Sequence, residues 1–252
     1  MSVQPVDVTP ARDRETPPAP DAAKPQPTAR RWPAVDELEQ LMNPRRIERV
    51  DGVLAQRLGS IAVVFEDIFD PHNVGAGMRT CEGFGLQDVH VITTEDEYKM
   101  PVTITKSSDQ WLTSHRHETT EACVSQLIEE GFEIWVADLE AEEPLHALPI
   151  DGKIAVVIGN ETNGISPAIR AAAHRRYILP MAGMMQSYNL SVALAISLQH
   201  IVPKRREQLG GQGDLALERQ WQLRKRWLEY GMRNAKQVRA AYAQPAKGEA
   251  ND

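Results

Sequence analysis

The chain has almost no cysteine, and that scarcity already limits what it can be. Cys81 and Cys123 are its only two, far apart and in unlike surroundings. They support neither a disulfide framework nor a cysteine-rich zinc site, and they suit a reducing compartment. Both read as small buried hydrophobes. Long apolar runs are missing too, and no stretch approaches the roughly 20 residues needed to cross a bilayer, so no membrane partner is expected. The opening Met-Ser-Val-Gln-Pro-Val-Asp lacks the basic-then-apolar order of a secretory signal, and the expected location is the cytoplasm. Several catalytic signatures are also lacking. There is no Gly-x-Ser-x-Gly elbow and no Gly-Lys-Ser/Thr phosphate loop. His115, His117 and His174 have no metal-ligand spacing with the cysteines, so no metal is expected.

Positive charge is scarce overall, with a formal net charge of −7, but the deficit is uneven. Residues 118–143 hold nine acidic side chains and no Lys or Arg, whereas residues 219–240 hold seven Lys/Arg against one Glu. Smaller basic groups stand at Arg45, Arg46 and Arg49, at Arg175 and Arg176, and at Lys204 to Arg206. Nucleic-acid binding depends on a local basic surface rather than on the total, so the acidic balance leaves RNA open as a partner.

Residues 1–33 carry eight prolines and few aromatics, the composition of a disordered tail. From Val35 the spacing of Leu38, Leu41 and Met42, then Ile47, Val50 and Leu54, predicts two short helices broken at Pro44. Apolar strands are then expected at Ile61–Phe65, Val89–Ile92, Glu133–Ala137, Ile154–Ile158 and Tyr177–Leu179. Helices are expected from about Val74 to Gly83, over a segment that closes at Leu127 to Glu130, over Pro167 to Ala173, and from Leu190 to about Val202. The alternation implies an α/β fold, a mostly parallel sheet with helices on both faces. After the Gly-rich stretch Leu209–Gly213 comes a basic helix with Trp221, Leu223, Trp227 and Leu228. It reads as an amphipathic helix docked by its tryptophans, with a basic face free for nucleic acid. The divisions expected are 1–33 tail, 34–58 helical extension, 59–205 core domain, and 206–252 linker, basic helix and tail.

Three loops follow strand carboxyl ends, where ligands of parallel sheets bind. In 66–75, Asn73, Gly75 and Gly77 read as a glycine-rich opening of a helix, a natural anion site, with Arg79 placed to clamp a phosphate. The dinucleotide fingerprint is excluded, since Gly75-x-Gly77 has no suitably spaced third glycine. His72 is a possible base, and Pro71-His72 is equally an ordinary turn. In 159–166, Ser166-Pro167 is a helix start. Glu161 sits in a Gly/Asn-rich turn as a ligand or catalytic candidate, with turn stabilisation as the alternative. In 180–189, Ser187 and Asn189 suit recognition of a polar ligand, and either also suits the N-cap of the next helix.

In this order the loops resemble the SpoU-type branch of the SPOUT superfamily of RNA 2′-O-methyltransferases. The resemblance rests on Asn73-Val-Gly-Ala-Gly-Met-Arg79-Thr80, on Ile158-Gly-Asn-Glu161-x-x-Gly164-Ile-Ser, and on Leu179-Pro-Met-x-Gly183-Met-x-Gln-Ser187-x-Asn189-Leu-Ser-Val-Ala193. It covers roughly residues 45–205. Ser108-Asp-Gln-Trp111, the short N-terminal helices and the basic terminal helix are similar to the subgroup that modifies the tRNA D-loop guanosine at position 18. The resemblance implies a carboxyl-terminal deep trefoil knot, a homodimer whose sites use both chains, and S-adenosylmethionine as cofactor. It implies catalytic positions at Asn73, Arg79, Glu161, Ser187 and Asn189. Cofactor contacts are implied at Ala137, Gly159, Leu179, Met184 and Tyr188. The tRNA is expected to meet Arg45, Arg46, Arg49, Arg224, Lys225 and Arg226. Methylation of ribosomal RNA or of another tRNA position, or a catalytically silent RNA-binding role, stays open at this point.

Overall fold

The computed structural model describes residues 32–34, 36–94, 110–230, 232 and 234–243. The expected tail lies outside them apart from its last two residues, and so do Ser108 and Asp109. Six strands form one sheet in the order β3-β2-β1-β5-β4-β6. These are β1 (Leu58–Glu66), β2 (Leu86–Ile92), β3 (Thr113–His117), β4 (Phe132–Ala137), β5 (Lys153–Ile158) and β6 (Arg175–Tyr177). All five pairings are parallel. β1 and β5 stand side by side at the centre, where an unbroken apolar run suits a strand covered on both faces. The strand order reverses at this pair, which opens a crevice at the carboxyl edge. Register fixes that edge: Phe65 lies opposite Ile158 and Val91, and Ala137 opposite Tyr177.

Two helices, α2 (Pro71–Phe84) and α5 (Leu190–Gln208), cover one face. Met78, Cys81, Leu194, Leu198 and Ile201 pack there onto Val63, Phe65 and Val156. The other face carries α3 (Thr120–Glu129) and α4 (Pro167–Ala172), with Cys123, Leu127 and Ile169 against Ala62, Val64 and Val157. Each fully buried aliphatic side chain contributes about 1.5–3 kcal/mol, so these two layers hold the sheet in place. Pro203 does not end α5. It sits inside the helix, which forgoes one backbone hydrogen bond and runs on to Gln208. No helix of the described residues is long and apolar enough to cross a membrane.

The terminal segments build a third, smaller core. Here α1 (Pro44–Ala55) packs against α6 (Leu217–Glu229), and α7 (Ala235–Ala243) lies against the 3-10 turn Glu37–Leu41. Leu38, Val50, Leu54, Leu223, Trp227 and Leu228 fill the space between them. Trp221 and Trp227 dock α6 as expected, but part of its positive charge is engaged within the protein. Arg224 is buried and donates to Glu39 at 2.5 Å and Asp51 at 2.6 Å. Arg219 grips Asp88, and Arg239 grips Asp36, Glu37 and Glu229. A buried guanidinium needs such partners, because an unpaired one bears a desolvation penalty of several kcal/mol.

Strand β3 has no counterpart in the expectations, because Thr-Ser-His-Arg-His lacks the apolar run that marks its neighbours. It forms as an edge strand and brings histidines together. His90, His117 and Cys123 place ligand-type atoms within 4.8 Å of one another, a proximity that spacing in sequence did not reveal. The His90 and His117 rings are 10° from parallel, and their nitrogens lie 3.0 Å apart. At that separation one ring nitrogen donates its N–H to the lone pair of the other, the direction being set by the tautomers. Burial and the neighbouring histidines push His90 down to about 3 from an ordinary 6.5. Burial also raises Asp88, but His115 and Arg219 outweigh it and hold the carboxyl at about 2. An unfolded chain takes up a proton on His90 below about 6.5 and the folded chain does not, so stability falls as pH drops from 6.5 toward 3. The urea midpoint should therefore decline between pH 7 and pH 5. In H90Q the decline should be shallower, and an unchanged slope would show that the titration lies elsewhere.

Candidate active site

The carboxyl edge of β4, β5 and β6 opens into a cavity of about 450 Å3. Its walls include Ala137, Ile158, Gly159, Tyr177, Leu179, Leu190 and Ala193, with the polar atoms of Glu161, Ser187, Tyr188 and Asn189 at the rim. That size and mixture suit an organic ligand with a few fixed polar groups. Gly159 admits no side chain, because a Cβ there would run into the backbone of Gly164 and Ile165. The turn behind it is held by Asn160, whose Oδ1 accepts from Thr162 N at 2.8 Å and Asn163 N at 3.0 Å. Gly164 closes the turn at φ +68° and is paired by backbone to Asn160.

Since Asn160 stabilises the turn, Glu161 is left to do something else. Its carboxylate reaches the β1 loop and accepts from Phe69 N at 2.9 Å, Asp70 N at 3.3 Å and Asn73 Nδ2 at 2.9 Å. Asn73 Oδ1 in turn accepts from Asn189 Nδ2 at 3.0 Å. Asn189 is the N-cap of α5, its Oδ1 accepting from Ser191 N at 2.9 Å and Ser191 Oγ at 2.6 Å. Cap and site are thus one residue, with one end of the amide serving each. Ser187 is not the cap; it stands exposed on the cavity rim. The three loops are joined in a single line of hydrogen bonds from Glu161 through Asn73 to Ser191.

The glycine-rich reading of the first loop is overturned. Helix α2 starts at Pro71, capped by Asp70 through His72 N at 2.9 Å, so Asn73, Gly75 and Gly77 lie inside the helix rather than opening it. Gly77 is explained by packing: a Cβ there would come within 2.5 Å of Phe65 Cζ and 3.2 Å of Leu194 Cδ2. The glycine lets α2 approach the sheet, and the turn it was expected to form does not exist. His72 is exposed in the first turn of the helix.

Arg79 is not brought to the cavity. It is exposed on α2 and makes no ion pair or hydrogen bond to a described residue. Six residues of helix set it roughly 120° around the axis from Asn73. Met184 also stands away, fully exposed, while Met181 and Met185 line the cavity. Of the basic residues expected at RNA, Arg45 and Arg49 are exposed. Arg46 donates to Trp227 O at 3.3 Å, Arg226 to Leu112 O at 3.1 Å, and Lys225 lies 5.1 Å from the Trp221 ring centre. Arg224 is enclosed by its carboxylates and offers no charge to the surface. Asp67 and Asn160 escaped the sequence reading. Asp67 adopts φ +46°, and its carboxylate accepts from Thr94 N and Oγ1 at 2.7 Å. Asn160 Nδ2 donates to Asp67 O at 2.5 Å. The only signal of either was a polar residue next to a strand end.

A parallel sheet with a cavity and a bonded trio of polar loops at its carboxyl edge defines a ligand-binding α/β enzyme site. Residues 60–199 match the SpoU rRNA Methylase family, and the chain belongs to that family. A tRNA (guanosine(18)-2′-O)-methyltransferase of Borreliella burgdorferi is 32% identical over 171 residues, 68% of this chain and 78% of that protein. The Escherichia coli K12 protein of the same name is 31% identical over 159 residues, 62% and 69% of the two chains. Among solved structures, the Aquifex aeolicus TrmH/SpoU tRNA modifying enzyme superposes with TM-score 0.66 at 27% identity, over 77% of this chain and 98% of that one.

The line of hydrogen bonds predicts how the loop moves when it is cut. In E161Q an NH2 group replaces one of the two acceptor oxygens facing Phe69 N, Asp70 N and Asn73, and at least one donor loses its partner. Hydrogen exchange at the Phe69 and Asp70 amides should quicken about tenfold, while strand β1 stays protected. Unchanged exchange at both amides would mean that the carboxylate does not hold the loop.

Proposed function

We propose that the protein transfers a methyl group from S-adenosylmethionine to a ribose 2′-hydroxyl of tRNA, guanosine 18 of the D-loop, as a cytoplasmic homodimer. The observation that carries this reading is the line from Glu161 through Asn73 to Asn189, which draws three separate loops to one rim of the cavity. The names of the relatives at about 30% identity support the tRNA position. Methylation of ribosomal RNA is the second reading, and the description of the family favours it.

The cavity fits the cofactor in size, in its apolar walls and in the carboxylate of Glu161 at its rim, a suitable neighbour for a cation. Ala137, Gly159, Leu179 and Tyr188, which line the cavity, would hold it. When bound, S-adenosylmethionine supplies a methyl group on a positively charged sulfur. The chain's own task is alignment: an oriented hydroxyl and methyl carbon avoid most of the entropy loss of a bimolecular step. Ser187 and the Asn73–Asn189 pair border the place where the ribose would enter, and Glu161 keeps Asn73 in position. Arg79 is assigned as the phosphate clamp that steers the hydroxyl. Its guanidinium suits a bidentate grip and is a poor base at its ordinary pKa.

The exposure of Arg79 on α2 is the reason for proposing a dimer, in which Arg79 of one protomer serves the cavity of its partner. Phe69, Met185, Val192 and Ile196 leave apolar surface exposed on the same loops and on α5, which supports burial against a second copy. The deep trefoil knot belongs to this proposal as well. Support comes from the return of the chain after β6, where Ile178 bridges Pro144 and donates to Glu143 O at 2.9 Å before α5 crosses to α2.

Two experiments test this. R79K should lower methyl transfer to a tRNA transcript by tenfold or more, and near wild-type transfer would remove the clamp. Mixing equal amounts of R79A and S187A, each nearly inactive alone, should after subunit exchange restore about a quarter of wild-type activity, because half of the dimers are mixed and each of those carries one intact site of two. No recovery on mixing would place Arg79 in the site of its own chain.

A further inference from the structure

A second cavity, about 410 Å3, lies where α1, the end of α2 and α6 meet, away from the site above. Arg46, Arg49, Arg57, Trp111 and Trp227 line it with Val50, Val53 and Glu82. Trp111 is half-buried and meets Trp227 edge-on at 5.3 Å and Tyr230 edge-on at 5.6 Å, so its ring is fixed. Arg57 is fully buried beneath it, donating to Leu86 O at 2.5 Å and Glu82 at 3.1 Å, with its guanidinium 5.0 Å from the Trp227 ring centre. Three buried N–H groups of these walls, Arg46 Nε, Arg57 Nε and Trp227 Nε1, have no acceptor among the described residues. Those atoms are closed off within the wall, and the groups a ligand in the cavity can meet are the exposed Arg49, the half-buried Arg46 and the Trp111 ring.

We infer that this cavity captures one unstacked nucleotide of the RNA substrate, its base against Trp111 and the valines and its phosphate on Arg46 and Arg49. The inference rests on the methyltransferase reading above and adds to it a second contact with the RNA. Phosphate alone would need only the cations, whereas two tryptophans and two valines give the cavity an apolar side that a base fills. Stacking on an aromatic ring beside guanidinium groups is how proteins hold single unpaired nucleotides. The place also fits. Glu82 lies three residues beyond Arg79 on α2, so the cavity sits about 4.5 Å further along the same helix as the clamp. Glu82 is committed to Arg57, so capture relies on stacking and charge and tolerates different bases.

The test has two arms on the full chain. Guanosine 5′-monophosphate should quench tryptophan fluorescence saturably in the wild type, and V53F, which fills the cavity from its rim, should abolish the quenching. In methylation assays V53F and R49A should each raise the KM for tRNA about tenfold relative to kcat, with cofactor affinity kept. Inorganic phosphate quenching as strongly as the nucleotide would reduce the cavity to an anion contact and overturn the proposal. So would a V53F protein with wild-type KM. If the wild type methylates no tRNA, the functional reading fails while the fluorescence arm still decides the cavity.

Discussion

The hydrogen bonds of Glu161 are the constraint on which the functional end of the molecule depends. Three strands of a parallel sheet deliver three loops to one edge, but register alone fixes only where each loop begins. Glu161 converts proximity into position. It ties the β5 turn to the backbone of Phe69 and Asp70 and to Asn73, and Asn73 passes the restraint to the cap of α5. A carboxylate accepting three N–H bonds is a strong anchor, since charge-assisted bonds are roughly twice as strong as neutral ones. The start of α2, the turn after β5 and the start of α5 are therefore linked through side-chain hydrogen bonds.

This arrangement explains why the site was partly legible from sequence and partly misread. The strands announced themselves, because Ile61–Phe65 and Ile154–Ile158 are continuous apolar runs that only a doubly covered strand accommodates. Loop positions followed from strand ends. The glycines misled because a glycine required by a turn and one required by close helix packing look alike in one dimension. Only Phe65, twelve residues earlier, and Leu194, far along the chain, show that Gly77 is of the second kind. The edge strand β3 was missed because its stability comes from pairing with β2 and from the histidine contacts, not from an apolar run of its own. Pro203 shows the same limit, since a nineteen-residue helix packed along the core tolerates one lost hydrogen bond.

Charge was the least legible property. Counting Lys and Arg along 219–240 suggested a basic face, yet Arg219, Arg224 and Arg239 are each engaged by carboxylates from distant segments. These residues fasten the terminal helices to each other and to β2. Long amphipathic side chains do both jobs poorly at once: a guanidinium that anchors a helix from beneath Trp32 and Trp221 cannot also reach a phosphate. Arg45 and Arg49 of the less basic α1 stand at the surface without such carboxylate partners among the described residues.

The same reasoning bears on Arg79. An arginine in the middle of a helix packed on a core has three ordinary fates: an ion pair with a neighbour, a stem laid over apolar surface, or exposure to solvent. Arg79 shows the third, one turn from residues that are tightly engaged, while Asn73 on the same helix is turned into the hydrogen-bonded line. Six residues of helix set the two side chains about 120° apart around the axis and about 9 Å along it, so Asn73 and Arg79 leave α2 in different directions. That divergence is what the proposed dimer accounts for, with Arg79 serving the cavity of a second copy. The apolar side chains left uncovered on the flanking loops and on α5 are where that copy would pack. The geometry of one helix thus turns a question about a catalytic residue into one about assembly.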